Sequence, residues 1–338
     1  MNWGINLAGS SKSKSKILYL FKILHEKSDD EDPLTVEEII SELKKYDINS
    51  ERKSIYSDLR LIEEFGIDIC RVQGKKYGYF IGNRDFEIPE LRLMIDAIQS
   101  AKFITVKKSK ELIKKIEGLT SEGNAKKLEN QVFINDRIKY ENEEIYYNVD
   151  KIYTGIMNNR MISFQYYQYD ISKKQVLRNI GMEYKVSPYA LSWVDDQYYM
   201  IANFHKYDNL SHYRIDRICN VNVLEESRRD SAELSSYRNY FNVADYSKKI
   251  YNMFSGTTEV IEVRFSNHLI DTVIDKFGVD ITIKKHGDKH FIIHTEVSIS
   301  DGFISWLMIF GDEIEIISPL SLRERIKGKA DRISNVYK

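Results

Sequence analysis

Cysteine is scarce in this sequence, and its scarcity excludes a disulfide scaffold. Only Cys70 and Cys219 occur among 338 residues, and they are too far apart to form a paired zinc or redox motif. We interpret both as small buried apolar side chains, which suits a reducing compartment. Proline is almost as rare, with 4 residues, while apolar residues make up 42%. This composition predicts a chain that is folded nearly throughout rather than disordered.

Long apolar runs and an excess of one charge are also missing. No apolar run approaches the roughly 18 residues that a membrane span requires, and residues 1–16 lack the apolar stretch of a signal peptide. We therefore expect a cytoplasmic protein. Lys plus Arg (50) and Asp plus Glu (51) nearly cancel, which excludes a uniformly basic surface. Any contact with nucleic acid must come from a local patch, whose field extends only about 8 Å at physiological salt.

The sequence begins, after a Lys/Ser-rich tail, with two amphipathic helical patterns. The first places Ile17, Leu20 and Leu24 on one face. In the second, Thr35 followed by Glu38 forms a capping-box signature ahead of an apolar-periodic stretch. Both segments predict short helices with one buried side.

A third helix begins after Ser50, a predicted N-cap, and buries Ile55, Leu59 and Ile62. Residues 67–81 then alternate around a Gly-Lys-Lys tip, as a β-hairpin would. Three helices followed by a hairpin with a basic tip is the order of a winged helix. We therefore predict a winged helix-turn-helix domain that lays its third helix in the major groove of DNA.

The outward side of this third helix carries hydroxyl and cationic groups, which read base edges and hold phosphates. An ordinary solvated helix face is the alternative, and acidic residues such as Asp58 and Glu63 make the field of the helix mixed. The predicted DNA-binding residues are Ser50, Arg52, Lys53 and Ser54 near the helix start, Tyr56, Ser57 and Arg60 along it, and Lys75 and Lys76 at the hairpin tip.

An apolar helix opens the next stretch. Pro89 stands at its first turn, and Leu91, Ile95 and Ile98 give it more apolar surface than a lone linker helix needs. Two further helical patterns follow, so we predict a helical linker or dimerisation region over residues 85–142. A dimer interface and packing within the chain explain the apolar surface equally well.

After this linker a single helix gives way to short alternating segments, which predict a small, strongly bent β-sheet or open barrel. Three of these segments resemble the WYL domain, in the order and spacing of that family. Tyr198 and Met200 stand where the family usually has Trp and Leu, which keeps bulk and apolarity and bears on ligand preference rather than fold. The segments are Ser187-Pro188-Tyr189-Ala190-Leu191, Tyr198-Tyr199-Met200 and Tyr213-Arg214-Ile215-Asp216-Arg217-Ile218.

The resemblance extends over nearly the whole chain. Residues 261–265, 306–311 and 314–319, ahead of a basic helix, look like the C-terminal extension that follows WYL domains in regulators. The resemblance implies an α+β multidomain protein with a winged helix-turn-helix, a helical linker, an Sm-like β-barrel WYL domain and an α/β extension domain. The predicted bounds of these four parts are 1–84, 85–142, 143–228 and 229–338.

The same resemblance implies a polar, basic pocket in the WYL domain that binds a nucleic acid or a nucleotide-like effector. Arg214 and Arg217 match the basic positions of the family's closing motif, and alternation over residues 211–218 places His212 beside Arg214. Arginines among tyrosine rings suit phosphates and stacked bases. Internal pairing of the arginines with Asp216 is the alternative. The predicted effector-binding residues are Ser187, Tyr189, Tyr199, His212, Arg214 and Arg217.

Signatures of catalysis are missing from the sequence. It contains no Walker loop, dinucleotide-binding glycine pattern, nucleophile elbow or zincin helix, so we expect no enzyme, no catalytic residue and no cofactor. Asp170 with Glu183 and Lys185 superficially resembles a metal-dependent nuclease set, a short pattern that often arises by chance.

His286, His290 and His294 are spaced four apart, which would suit a metal site on a helix. The intervening Gly287-Asp288 and the β-rich flanks instead predict a hairpin that spreads the histidines out. We therefore expect no metal site here.

The sequence thus predicts a cytoplasmic transcription regulator that binds DNA as a homodimer. An effector at the WYL domain would change the spacing or orientation of the two winged helices. The partners would be double-stranded operator DNA, a second copy of the chain and the effector, with no membrane involved. The alternative is an accessory single-stranded nucleic-acid-binding protein of a defence system, without operator binding.

Overall fold

The chain divides into two compact units, residues 1–141 and 142–338. None of the described helices combines the length and apolarity that a bilayer crossing requires. The architecture is that of a mixed α/β multidomain protein with open sheets. The computed structural model describes residues 9–72, 77–129, 139–140, 142–194, 196–234, 246, 250, 253 and 256–338.

Three helices and a hairpin form the first part of the N-terminal unit, as the sequence patterns predict. The hairpin strands pair antiparallel, and a further bridge joins Leu34 to Tyr79. Apolar residues of all three helices and both strands share one core around Leu24, Ile39 and Ile55. The elements are α1 (Gly9–Lys27), α2 (Val36–Lys44), α3 (Arg52–Glu64), β1 (Ile69–Val72) and β2 (Gly78–Ile81).

The ends of these helices test the predicted caps. Thr35 and Glu38 form the predicted capping box of α2, with Thr35 Oγ1 accepting from the Glu38 N–H at 3.2 Å. The prediction of Ser50 as N-cap is wrong, because the N-cap of α3 is the next residue, Glu51. The Ser50 hydroxyl is buried and has no hydrogen-bond partner among the described residues. Gly66, with a φ of 102°, follows the end of α3 as predicted.

The remainder of the N-terminal unit is helical. Packing within the chain accounts for Leu91 and Ile95 of the apolar helix, which lie in a small core with Ile113 and Leu128, whereas Leu93 stays exposed. The last residues of the third predicted linker helix lie outside the described residues. The observed helices are α4 (Ile88–Ser100), α5 (Val106–Glu117) and α6 (Glu122–Glu129).

A helix and a bent sheet open the second unit. The sheet runs in the order β4–β3–β5–β6–β7, with β8 also paired to β3, and register shifts in the β3–β8 and β5–β6 ladders bend its strands. The elements are α7 (Ile145–Met157), β3 (Arg160–Tyr169), β4 (Gln175–Leu177), β5 (Glu183–Val194), β6 (Gln197–Phe204), β7 (Leu210–Arg214) and β8 (Ile218–Ser227).

The predicted barrel does not close. Among the described strands no ladder joins β7 to β8, so the sheet is open. The predicted strand over residues 211–218 is also wrong in its second half, because β7 ends at Arg214 and Ile215–Arg217 form a 3₁₀ turn. Arg214 pairs with Asp216 across this turn, and the pairing draws the chain out of the extended conformation. Period-two alternation does not reveal such a side-chain contact.

The C-terminal part of this unit packs helices against a second sheet of order β10–β11–β9–β12. Its core includes Phe265, Val273 and Trp306. The predicted histidine hairpin is confirmed: His286 and His290 are cross-strand partners, and His294 lies opposite Thr282. The elements are β9 (Thr257–Ser266), α8 (Ile270–Phe277), β10 (Thr282–His286), β11 (His290–Ile299), α9 (Asp301–Met308), β12 (Ile314–Ser318) and α10 (Leu320–Val336).

Candidate nucleic-acid and effector interfaces

The solvent side of α3 carries most of the residues predicted to bind DNA. Ile55, Leu59 and Ile62 turn to the core, and the 3.6-residue period therefore sends the intervening residues outward. Tyr56 is 44% exposed. We call the exposed set Lys53, Tyr56, Ser57 and Arg60 the α3 surface.

The remaining predicted DNA-binding residues have other positions. The hydroxyl of Ser50 is buried. The hydroxyl of Ser54 accepts a hydrogen bond from Lys16. Lys16 also forms an ion pair with Asp58 at 2.7 Å, which neutralises one of the acidic residues on α3. Arg52 is exposed and forms an ion pair with Glu37. Lys75 and Lys76 lie outside the described residues.

A tyrosine cluster connects α3 to the hairpin, and sequence reasoning did not single it out. Tyr79 contacts Tyr56 edge-on at 6.5 Å between ring centroids and Tyr77 at 6.0 Å. The guanidinium of Arg71 lies 5.0 Å from the Tyr79 ring centroid, a cation–π distance. Burial raises the pKa of Tyr79 to about 12, so its hydroxyl stays neutral. The cluster fixes the hairpin against α3 and places Arg71 and Tyr77 beside the α3 surface.

The second unit contains a cleft of about 620 Å³ on the bent sheet. Its wall contains five tyrosine and phenylalanine rings, two cations, Arg178 and Lys206, and one imidazole. This composition suits an aromatic ligand that carries negative charge. The lining residues, which we call the aromatic cleft, are Tyr166, Arg178, Asn179, Met182, Tyr184, Phe204, Lys206, Tyr207, Ser211, His212, Tyr213 and Met253.

Stacked and edge-on rings hold the wall of the cleft rigid. Tyr184 stacks on the buried Phe164 at 5.5 Å with an interplanar angle of 12°, and Tyr213 meets Phe164 edge-on at 5.0 Å. Burial raises the pKa of Tyr213 to about 12 and also raises the pKa of Tyr166. The tyrosine hydroxyls therefore remain protonated at neutral pH and are available as hydrogen-bond donors.

His212 is the predicted effector residue that lines this cleft. Burial lowers its pKa to about 4, so the imidazole is neutral at physiological pH. Its Nε2 lies 2.8 Å from the Tyr246 hydroxyl. His212 therefore contributes to the cleft wall a neutral ring that is already hydrogen-bonded within the chain, and no charge.

The two predicted arginines differ in their surroundings. Arg214, the cross-strand partner of Tyr199, donates to both carboxylate oxygens of Asp216 at 3.1 and 2.9 Å, which is the internal pairing that was the alternative. Arg217 makes no hydrogen bond or ion pair with any described residue, and its Nε is buried without a partner. Burial raises the pKa of Tyr166, a residue of the cleft wall, and the hydrogen bond from the Arg214 N–H and the charge of Arg217 oppose that rise. An uncompensated, partly buried cation is costly unless an anion neutralises it.

Ser187 and Tyr189, two of the predicted effector-binding residues, are not among the lining residues of the aromatic cleft. Both are buried and serve the chain after β8: Ser187 Oγ accepts from the Arg229 N–H at 2.9 Å, and the Tyr189 hydroxyl donates to the Arg229 carbonyl at 2.8 Å. The motif pattern marks both residues without distinguishing a structural hydroxyl from a ligand-binding one. Arg178 and Lys206 were missed because neither lies in the motif segments.

The three residues whose sequence pattern superficially resembles a nuclease site, Asp170, Glu183 and Lys185, are spread along the sheet. Glu183 and Lys185 pair across from Gln165 and Ser163 of β3, whereas Asp170 lies beyond the end of that strand and caps its turn by accepting from the Lys174 N–H at 2.9 Å. Five residues along a strand span about 16 Å. In the part of the chain that the structure describes, no group of three or more His, Cys, Asp or Glu side chains could hold a metal ion.

Two protein-family models match the second unit where the two sheets lie. Residues 147–223 match the WYL domain and residues 257–334 match the WCX domain. The chain carries a WYL domain and a WCX domain. The Ile215–Arg217 turn and the lining residues of the aromatic cleft other than Met253 lie within the WYL segment, whereas α3 lies outside both matched segments.

Two solved structures match most of this chain at low similarity. Proteasome accessory factor B/C (PafBC) of Arthrobacter aurescens is 15% identical, with a TM-score of 0.30, and the match covers 94% of this chain but 48% of that one. This chain thus spans about half the length of that relative. The crystal structure of a CRISPR Cas-related protein is 13% identical, with a TM-score of 0.36 and coverage of 97% and 85%. A search of curated proteins gave no match.

Proposed function

We propose that this chain is a DNA-binding transcription regulator whose N-terminal unit contains a winged helix-turn-helix and whose WYL domain senses an effector. The observation that supports operator binding is the α3 surface: a hydroxyl- and cation-bearing helix side that faces solvent, backed by a hairpin fixed through Tyr79. A helix of this size fits the major groove, and such side chains bind base edges and phosphates. In this role the protein acts in the cytoplasm as a homodimer on double-stranded operator DNA.

The proposed effector is a nucleotide-like ligand or a short nucleic acid. Rings such as Tyr207 and Tyr213 offer stacking surfaces, and Arg178, Lys206 and the uncompensated Arg217 offer positive charge for a phosphate. The effector changes DNA binding if it binds one spacing or orientation of the two winged helices more tightly than another.

Operator binding is tested by selecting bound fragments of genomic DNA and titrating the selected duplex by fluorescence anisotropy at several salt concentrations. We expect binding that weakens steeply with salt. Arg60→Gln removes one phosphate contact and should lower the salt slope by about 0.9. Lys53→Gln should relax base preference at one position, at a cost of about 1–3 kcal/mol for the selected sequence.

The matched control is Lys107→Gln with Lys110→Gln. These exposed lysines lie on α5 of the same unit, so their removal changes net charge without touching the α3 surface, and the selected duplex should bind as before. Failure of the full chain to enrich any duplex, or binding that is independent of salt, would contradict the proposal.

The second candidate is an accessory single-strand-binding protein, favoured by the aromatic and cationic lining of the cleft. The same anisotropy assay with single strands separates the two. Single-strand binding that Arg217→Met abolishes and Lys53→Gln leaves intact, in the absence of any duplex binding, identifies the second candidate.

We further propose that the chain acts by binding and not by catalysis. The separation of Asp170 from Glu183 along the sheet supports this. Glu183→Ala should leave duplex binding unchanged, and neither the wild type nor this variant should cleave DNA in the presence of Mg²⁺ or Mn²⁺.

A further inference from the structure

An exposed hairpin borders the aromatic cleft. Strands β3 and β4 pair antiparallel at its base, and β4 is an edge strand of the sheet. Every residue from 168 to 180 is exposed, and we call this stretch the arm. Arg178 and Asn179, at the end of the arm, also belong to the lining of the cleft. The arm therefore continues the surface of the proposed effector site.

Hydrogen bonds within the chain hold the arm in one conformation although it is exposed. At its tip the Asp170 N–H donates to the Lys174 carbonyl at 2.9 Å, and the Asp170 carboxylate accepts from the Lys174 N–H at 2.9 Å. At its base Asn179 Nδ2 donates to the Tyr184 hydroxyl at 2.9 Å. An element that is already fixed loses little conformational entropy when it binds a partner.

One side of the arm faces the same way as the cleft. Tyr166 of β3 lines the cleft, and alternation along a strand places Gln168, two residues further, on the same side. Val176 is the cross-strand partner of Gln168, so it shares this side. Lys174 and Arg178 lie two residues before and two residues after Val176. We call Gln168, Lys174 and Val176 the arm track.

The arm carries uncompensated positive charge. Its cations are Lys173, Lys174 and Arg178, and none of them forms an ion pair with a described residue. Asp170, the acidic residue of the arm, uses its carboxylate to close the turn at the tip. Cations along an exposed strand attract a polyanion, and the exposed Val176 between Lys174 and Arg178 offers an apolar contact.

The cleft and the arm together suit a single strand of nucleic acid. Aromatic rings of the cleft can stack on a base, and Arg178 stands where the cleft meets the arm. Lys174 lies four residues from Arg178, which is about 13 Å at the rise of a β-strand. This length corresponds to about four nucleotides at the spacing of a stacked strand. An acidic peptide would meet the same cations but has no bases for the rings.

We propose that the arm extends the effector site, so that the effector is a single strand of about five nucleotides or more. One nucleotide occupies the aromatic cleft, and the phosphates that follow run along the arm track. This inference rests on the proposed function, because it specifies the ligand of the proposed effector site. A mononucleotide would contact the cleft and leave the arm unused.

Calorimetric titration of the full chain with 5′-phosphorylated oligothymidylates of one, three, six and nine nucleotides tests the proposal. The hexamer should bind about tenfold more tightly than the mononucleotide, because it adds contacts along the arm. The nonamer should gain little more. Lys174→Gln should reduce the salt slope of hexamer binding by about 0.7 and leave mononucleotide binding unchanged.

A gain of charge provides the complementary test. Val176→Lys should tighten hexamer binding and increase its salt slope by about 0.7. Leu177→Lys is the matched control, because Leu177 is 44% exposed against 38% for Val176 but lies on the other side of β4, opposite Tyr167. It should bind the hexamer nearly as the wild type does.

The control for loss of charge is Lys185→Gln. Lys185 is an exposed lysine of β5, and its neighbour Tyr184 lines the cleft, so alternation turns Lys185 to the other face of the sheet. Its replacement should leave the affinity for both the mononucleotide and the hexamer unchanged.

Several outcomes would overturn the role of the arm. Equal affinity for the mononucleotide and the hexamer would do so and leave the proposed effector site intact. Hexamer binding that Arg60→Gln weakens and Lys174→Gln leaves unchanged would place the strand on the α3 surface instead. Displacement of the hexamer by an equal concentration of hexaglutamate would show that the arm recognises charge alone. If the wild type binds neither the mononucleotide nor the hexamer, the proposed effector fails and the extension fails with it.

Discussion

Arg214 and Arg217 show how two residues of one motif divide between structure and binding. The Arg214 guanidinium is bound by the nearly buried Asp216 carboxylate, whereas Arg217 has no partner among the described residues. Removing one member of a partly buried pair leaves the other uncompensated. The two arginines therefore have different roles despite their equal place in the motif.

We predict that Arg214→Met destabilises the WYL domain by about 2 kcal/mol, because it leaves the Asp216 carboxylate without its cation. Arg217→Met should leave the free energy of unfolding within about 0.5 kcal/mol of wild type and weaken binding of a 5′-phosphorylated tetrathymidylate. Urea unfolding and calorimetric titration of both variants check this. Equal destabilisation by the two substitutions would refute the division of roles.

His212 predicts a dependence of stability on pH. Its pKa is about 4 in the folded chain because of burial, against about 6.5 when unfolded. The unfolded state thus binds more protons between these values. The stabilisation is complete above pH 6.5 and is lost as the pH falls towards 4, which amounts to about 2 kcal/mol between pH 7.5 and 5.

Urea unfolding at pH 7.5 and pH 5 measures this loss. His212→Gln, which keeps a hydrogen-bonding group beside Tyr246, should reduce the difference between the two pH values by about 2 kcal/mol. His205→Gln, at an exposed site of the same domain, should leave the difference unchanged. An unaltered pH dependence in His212→Gln would refute the assignment.

The 3₁₀ turn that follows β4 is an element under backbone strain. Asn179 and Ile180 both have left-handed backbone angles, and Ile180, with φ 57° and ψ 35°, is a β-branched residue in a region such residues avoid. The Ile180 side chain is fully exposed, so packing does not offset the strain. The bond from Asn179 Nδ2 to the Tyr184 hydroxyl at 2.9 Å holds the turn beside the aromatic cleft.

Ile180→Asn should therefore stabilise the chain by about 1 kcal/mol, since Asn tolerates the left-handed region. Ile171→Asn is the matched control: Ile171 is as exposed as Ile180 but has a negative φ, and its replacement should change stability by less than about 0.5 kcal/mol. Thermal or urea unfolding compares the two variants. Destabilisation by Ile180→Asn would show that the isoleucine is not strained.

Elements with a clear period were predictable from sequence, whereas those shaped by side-chain contacts were not. The helices α1 to α3, the capping box at Thr35 and the hairpin around Gly287 follow from local patterns. The end of β7 depends on the Arg214–Asp216 pair, and the cleft depends on two separate turns, after β4 and after β6, that contribute Arg178 and Lys206 to its lining. Strand alternation beside the motif pointed to His212, which lines the cleft, whereas Ser187 and Tyr189 of the motif segment hydrogen-bond to the backbone of Arg229.

The whole molecule contains separate hydrophobic cores in its two compact units. Leu24 and Leu322 are both fully buried, one in each unit. Leu24→Ala should lower the unfolding free energy of the N-terminal unit by about 3 kcal/mol, and Leu322→Ala should do the same for the second unit, because each leaves a cavity in its own core.

Hydrogen exchange in urea resolves the two units by peptide. The expected result is that Leu24→Ala accelerates exchange in α3 but not in β9, and that Leu322→Ala does the reverse. Equal acceleration of both peptides by either variant would show that the chain unfolds as one cooperative body.

The hydrophobic cover of the WYL sheet has a practical consequence for dissecting this protein. Leu234, Tyr246 and Ile250 follow β8 in sequence, yet they pack on Ile201 and Leu210 of the sheet. A fragment that ends after β8 would lack these residues and would expose the apolar face of the sheet. Aggregation of such a fragment would therefore not report on its ability to bind a ligand. Expression trials should keep the whole stretch that connects the two sheets, even where family models mark a gap.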